Sequence, residues 1–127
     1  MALILSADDD PDIRNLIKRI LTSSGHEVIL AADGRAAVET AYAHAAEIDL
    51  VILDVEMPRM RGLDACRMLR DDPRTSRLPV IIASGSLVPP YEDVHAAGAN
   101  ACVCKPFTPK ELRDAVEREL TAAAARR

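Results

Sequence analysis

An α/β fold is predicted for this chain, with five strands and five helices alternating around one parallel sheet. Three observations predict it. Short Val/Ile/Leu-rich runs recur between longer stretches of helical pattern. The run Leu50-Val51-Ile52-Leu53 is unbroken hydrophobic, as a strand buried on both faces requires. Pairs of Asp or Thr with Pro, and single glycines, punctuate the helical stretches where starts and stops belong.

In order, strands are expected at Ala2–Ala7, Glu27–Ala31, Leu50–Leu53, Val80–Ala83 and Ala101–Cys104. Helices are expected at about Pro11–Ser24, Gly34–Ala46, Arg61–Arg70, Tyr91–Ala97 and Pro109–Ala125. Asp10-Pro11 places a capping carboxylate before a proline, whose missing N–H costs nothing in the first helical turn. Thr108-Pro109-Lys110-Glu111 repeats the device with a capping-box glutamate. Gly25 and Gly98 follow helical runs and suit the left-handed stop position. Strands separated by helices must be parallel, with crossovers covering both faces of the sheet.

The 127 residues fit one domain, 1–127, with one compact core. Apolar residues make up 49% of the chain but aromatic ones only 2%, so the core must be built from Ala, Val, Ile and Leu. A net charge of −4 argues against direct nucleic-acid binding, which needs a basic face. No apolar run reaches the roughly 18 residues of a membrane span, and the N-terminus lacks a charged signal region. The expected setting is cytoplasmic. Cys66, Cys102 and Cys104 are odd in number and read as small buried hydrophobes of a reducing compartment rather than a disulfide framework. His26, His44 and His95 read as surface or helix-end residues, and Arg59, Arg61, Arg67 and Arg70 as the wet side of the third helix and its approach.

Ligands of open α/β sheets bind beyond the carboxyl ends of the strands. There the sequence places Asp8-Asp9-Asp10 after the first strand, Asp54 after the third, Ser84 after the fourth and Lys105-Pro106 after the fifth. Carboxylates converging on one rim repel: at an effective dielectric of about 20, a pair roughly 5 Å apart costs about 3 kcal/mol. One lysine cannot offset several of them. A hard divalent cation with oxygen ligands can, and Mg²⁺ suits a site that also binds phosphate. Asp10 is accounted for as a helix cap. Asp54, directly after four apolar residues, has no such structural reason.

These residues carry a family likeness. Ile4 to Pro11, Asp49 to Pro58 with Gly62 beyond, Pro79 to Gly85, and Gly98 through Lys105-Pro106-Phe107 together resemble the receiver domain of two-component response regulators over essentially the whole chain. The resemblance implies a flavodoxin-like three-layer sandwich with strand order 2-1-3-4-5. It implies that Asp54 accepts a phosphoryl group, that Asp8, Asp9 and Asp54 hold Mg²⁺ (Asp9 directly, Asp8 through water), and that Glu56 lends its backbone carbonyl to the metal. It also implies that Ser84 hydrogen-bonds the phosphoryl group, that Lys105 neutralises it, and that the Lys105–Pro106 peptide is cis. The donor would be a histidine kinase or histidine phosphotransfer protein, docking near the first helix, and the signal would leave through an unidentified protein partner, with a homodimer also possible. Such a module is a signalling domain rather than an enzyme, either stand-alone or excised from a larger regulator.

Two features depart from the family pattern. The aromatic residue usual three positions before the lysine is Cys102, too small to fill or vacate the same pocket, with Tyr91 as a possible substitute. Pro89-Pro90 leaves room for only a short fourth helix and suggests a remodelled signalling face. Glu56 and Ser86 occupy positions that influence phosphoryl lifetime in the family. An alternative from another class is a Mg²⁺-dependent phosphohydrolase with an aspartyl-phosphate intermediate, for which Glu56 would be the second carboxylate. A flavin or nucleotide binder is disfavoured, because an acidic triplet stands where a Gly-rich phosphate loop would be needed. The intact acidic, hydroxyl and lysine set argues against a degenerate receiver.

Overall fold

The computed structural model describes residues 1–85 and 91–126. Ser86 and Pro89-Pro90, with the side chain of Tyr91, lie outside the described residues. The elements run β1 (Leu3–Ala7), α1 (Pro11–Ser23), β2 (Glu27–Ala31), α2 (Gly34–Ala43), β3 (Leu50–Asp54), α3 (Gly62–Asp71), β4 (Val80–Ser84), α4 (Tyr91–Ala96), β5 (Ala101–Cys104) and α5 (Pro109–Ala125). All strand pairs are parallel, in the order β2-β1-β3-β4-β5. Alternation and strand order are those expected. Two strands extend one residue further than the apolar runs indicated: Asp54 pairs with Ala83, and Ser84 with Cys104. Their polar side chains therefore sit on the rigid edge of the sheet rather than in loops.

Successive strand residues point to opposite faces, and this alternation splits the core in two. Leu5, Val51, Leu53 and Ile82 pack with Ala37, Val38 and Ala41 of α2, with Cys66 and Leu69 of α3, and with Val94 of α4. Ile4, Leu50, Ile52 and Ile81 pack on the other side with Ile17 and Leu21 of α1 and Leu112 and Val116 of α5. The central strands β3 and β4 are buried at every position. A full aliphatic side chain buried this way contributes roughly 1.5–3 kcal/mol, so the sheet can be held without large aromatic residues.

Caps fix where the helices begin. Asp10 accepts from the Asp12 N–H at 2.8 Å at the start of α1. Thr108 and Glu111 form the reciprocal capping box of α5. Asp33 caps α2 by accepting from Ala36 N–H at 2.8 Å. Gly25 and Gly98 adopt φ of 91° and 95°, the left-handed conformation expected of them. Helix α2 stops at Ala43 instead of Ala46, because His44 becomes its C-cap and its carbonyl accepts from Ile48 N–H.

Three readings of burial differ from the structure. His26 is buried: its Nδ1 accepts from the Ala2 N–H at 3.1 Å and its Nε2 lies 2.7 Å from Glu117 Oε1. The ring thus carries its proton on Nε2 and ties the start of β1 to α5; His44 and His95 are exposed as expected. Cys66 is fully buried, but Cys104, at the end of the edge strand, is exposed. Arg70 is half-buried and bonds inward rather than facing water. Its Nε donates to Gly98 O at 2.8 Å, Nη1 to Leu78 O at 2.6 Å and Ser76 O at 3.2 Å, and Nη2 to Asn100 Oδ1 at 2.7 Å. One side chain on α3 thereby fixes the chain entering β4 and the turn entering β5. Replacing Arg70 by Met strands these acceptors, and a loss of roughly 2–4 kcal/mol is expected in urea unfolding. A loss below about 0.5 kcal/mol would show that Arg70 is not a structural anchor.

Candidate functional site

The site grows from three strand ends. The Asp8 N–H still bonds Ala31 O at 3.1 Å, so the β1–β2 pairing carries one residue past the strand and holds Asp8 in place. Its carboxylate is 1% exposed. Oδ1 accepts from the Asp10 N–H at 2.9 Å, and the backbone carbonyl accepts from Arg14 Nη1 at 2.8 Å. Asp9, the next residue, is exposed. Asp54 closes β3 and is 7% exposed. Asp8, Asp9 and Asp54 each offer an oxygen, and these atoms all lie within 4.8 Å of one another. Among the described residues this is the one group of such ligands.

Lys105, just beyond β5, completes the cluster. Its Nζ donates to Asp8 Oδ2 at 2.6 Å and to Asp54 Oδ1 at 3.0 Å. Its N–H bonds Ser84 O at 2.8 Å, and the Lys105–Pro106 peptide is cis, as expected. Ser84 is buried at the end of β4, beside this backbone link. Gly62 supplies a further condition. A Cβ there would stand 1.9 Å from the Asp54 carbonyl oxygen, and its N–H bonds Val55 O at 2.9 Å. Only a residue without a side chain lets the loop after Asp54 fold back so closely.

The electrostatics follow from crowding. Burial, the largest influence, raises the Asp54 pKa above the ordinary carboxylate value. The Lys105 hydrogen bond opposes that shift, and the charges of Asp8 and Asp9 add to it. Burial works against the Lys105 charge, but its bonds to Asp8 and Asp54 outweigh this and raise its pKa. Three carboxylates and one ammonium leave the site short of positive charge. The oxygen-only donor set fits a hard divalent cation such as Mg²⁺.

The residues expected from the sequence therefore separate into two sets. Asp8, Asp9, Asp54 and Lys105 converge. The Glu56 side chain does not: it is exposed and its Oε1 lies 3.5 Å from Arg61 Nη2. Arg14 was not anticipated, although it stands one helical turn beyond Asp10 and so on the rim that Asp8 faces. Arg59, in a left-handed conformation at φ 65°, reaches across to the α2 cap, with Nε 3.2 Å from Asp33 Oδ2.

The sequence and the fold recur in known proteins. The family model for the response regulator receiver domain matches residues 4–117. The chain is 34% identical to the uncharacterized transcriptional regulatory protein YrkP of Bacillus subtilis, covering 92% of this chain and 48% of that one. It is also 34% identical to chemotaxis protein CheY1 of Helicobacter pylori, covering 90% and 93%. Among solved structures, the receiver domain of sensor histidine kinase PA1611 from Pseudomonas aeruginosa, which has a magnesium ion coordinated in its active site cleft, aligns with a TM-score of 0.87. That match has 30% identity and covers 94% of this chain and 98% of that one. The chain spans about half the length of the first curated relatives it matches. With its sheet order, its acidic cluster and its lysine all in place, the chain belongs to the response regulator receiver domain family.

Proposed function

We propose that Asp54 is the phosphoacceptor of this receiver and that Asp8, Asp9 and the Glu56 carbonyl hold Mg²⁺ beside it. The observation that carries this reading is the Lys105 ammonium bridging Asp8 and Asp54 within a group of three carboxylates. A carboxylate oxygen of Asp54 attacks the phosphorus of a phosphohistidine. A P–O bond forms, the P–N bond breaks, and the electron pair stays on the leaving imidazole, which takes up a proton. The chain's task is to position the nucleophile and offset the charge on the transferring group. β3 holds Asp54 on the sheet edge, and Lys105 neutralises one phosphoryl oxygen. The Ser84 hydroxyl donates to another. Bound Mg²⁺ supplies Lewis-acid neutralisation of the phosphoryl charge.

The added charge of nearly two units is the signal, and a histidine kinase or histidine phosphotransfer protein is its proposed source. The output is a protein partner inside the cell. Among the described residues no helix is long and apolar enough to cross a membrane. Although several relatives are transcriptional regulators, the segment aligned here is about half of each, and the net charge of −4 suits a domain that does not itself contact DNA. The phosphohydrolase alternative is not favoured, since the Glu56 side chain it needs faces Arg61 instead of Asp54.

Incubation with acetyl phosphate and Mg²⁺ should add one phosphoryl mass to the wild type, and none to Asp54→Asn or in the presence of EDTA. Labelling that survives Asp54→Asn would remove Asp54 from the acceptor role. Stability offers a separate check without phosphorylation. Because the folded Asp54 pKa lies above its unfolded value of about 4, the folded state holds this proton longer, and stability falls as pH rises through the folded pKa. The metal-free wild type should lose stability relative to Asp54→Asn over that window, and at neutral pH the variant should be the more stable in urea. Parallel pH profiles for the two proteins would contradict the crowding described above.

A further inference from the structure

A cavity of about 690 Å³ opens at the opposite end of the sheet from Asp54, where β3, β4 and β5 begin and α5 ends. Four arginines line it: Arg70, Arg74, Arg77 and Arg126. Arg74 is already engaged, with Nη2 2.8 Å and Nε 3.0 Å from the Asp72 carboxylate and its guanidinium 4.4 Å above the Tyr42 ring. The other three are not neutralised in this way. The hydrogen bonds of Arg70 all go to neutral carbonyls and the Asn100 amide, so they hold the guanidinium in place without balancing its charge. Among the described residues Arg77 and Arg126 have no ion pair, and both are exposed. Burial lowers the Arg70 pKa, and the Arg126 charge pushes the same way. The carboxylate in the lining is Asp49, which accepts from the Leu3 N–H at 2.9 Å.

We propose that this cavity binds a small molecule carrying a diphosphate group. Among the described residues, three guanidinium groups against one carboxylate leave an excess of about two positive charges around a space within the usual size of ligand pockets. Arginine forks match phosphoryl oxygens two at a time; Arg77 and Arg126 offer theirs, while Arg70, with four of its five N–H groups already bonded, adds a fixed charge and one remaining donor. A protein of net charge −4 has no general attraction for anions, which makes a local cationic cavity selective. The confinement of this positive charge to one depression favours a small ligand over a polymer, which would need an extended basic track.

The test is calorimetric titration of the 127-residue protein with inorganic pyrophosphate in EDTA, where the acidic site repels anions. Saturable one-to-one binding is expected, tighter than sulfate and weakening with salt. In the double variant Arg77→Ala, Arg126→Ala, affinity should fall at least about tenfold. Labelling of Asp54 by acetyl phosphate should remain at the wild-type level in that variant, because both side chains are exposed and remote from the acidic cluster. ADP displacing pyrophosphate would assign the site to nucleotides; pyrophosphate binding without competition from ADP would assign it to free diphosphate. No saturable pyrophosphate binding, equal affinity in the double variant, or binding of a single-stranded oligonucleotide but not pyrophosphate would each overturn the proposal.

Discussion

The contact on which the rest of the site depends is the Lys105 ammonium placed between Asp8 and Asp54. Carboxylates gathered this closely and shielded from water repel by several kcal/mol per pair, even at a generous effective dielectric. Without a cation between them, the ends of β1 and β3 would be pushed apart. Lys105 offsets part of that repulsion and leaves the remainder unbalanced. The shortfall gives the site its proposed affinity for a divalent cation and for the phosphoryl group that arrives with one. Stability is thus given up at the place where chemistry is to happen.

The fold supplies the rigidity that makes such crowding sustainable. Residues from β1, β3 and the end of β5 are brought together by one continuous parallel sheet whose central strands are buried on both faces. Asp8, Asp54 and Lys105 each close or directly follow a strand held by its neighbours, so their directions are set by the sheet; Asp9, one residue further out, is exposed. Gly62 allows the segment after Asp54 to pass over its carbonyl. Arg14 and the Asp10 N–H fix Asp8 from the α1 side. At the other end of the sheet, Arg70 performs a comparable anchoring task with neutral acceptors, and there the surplus charge is positive.

Much of this was legible in the sequence because it is local. The unbroken Leu50–Leu53 run, the Asp10-Pro11 and Thr108-Pro109 caps and the glycine stops are read from neighbouring residues, and the structure reproduces each. The convergence of Asp8, Asp9, Asp54 and Lys105 was legible because a parallel sheet has one carboxyl edge. The misread residues are those whose partners lie far away in sequence. His26 bonds Glu117, 91 positions on, and Arg70 bonds Gly98 and Asn100, 28 and 30 positions on. A helical pattern marks Arg70 as polar and cannot say that the carbonyls it meets are on other elements. Cys104 was misread for a simpler reason: it sits at the end of an edge strand, where alternation no longer implies burial.

Cys102, on the strand that leads to Lys105, packs against the cluster formed with α2, α3 and α4. The charge balance is tested most directly by Lys105→Met, with thermal unfolding followed with and without Mg²⁺. Removing the ammonium should lower the melting temperature of the metal-free protein and enlarge the stabilisation produced by Mg²⁺, since the cation then relieves more repulsion. An unchanged metal-free melting temperature together with a smaller Mg²⁺ effect would show that Lys105 does not balance this carboxylate cluster.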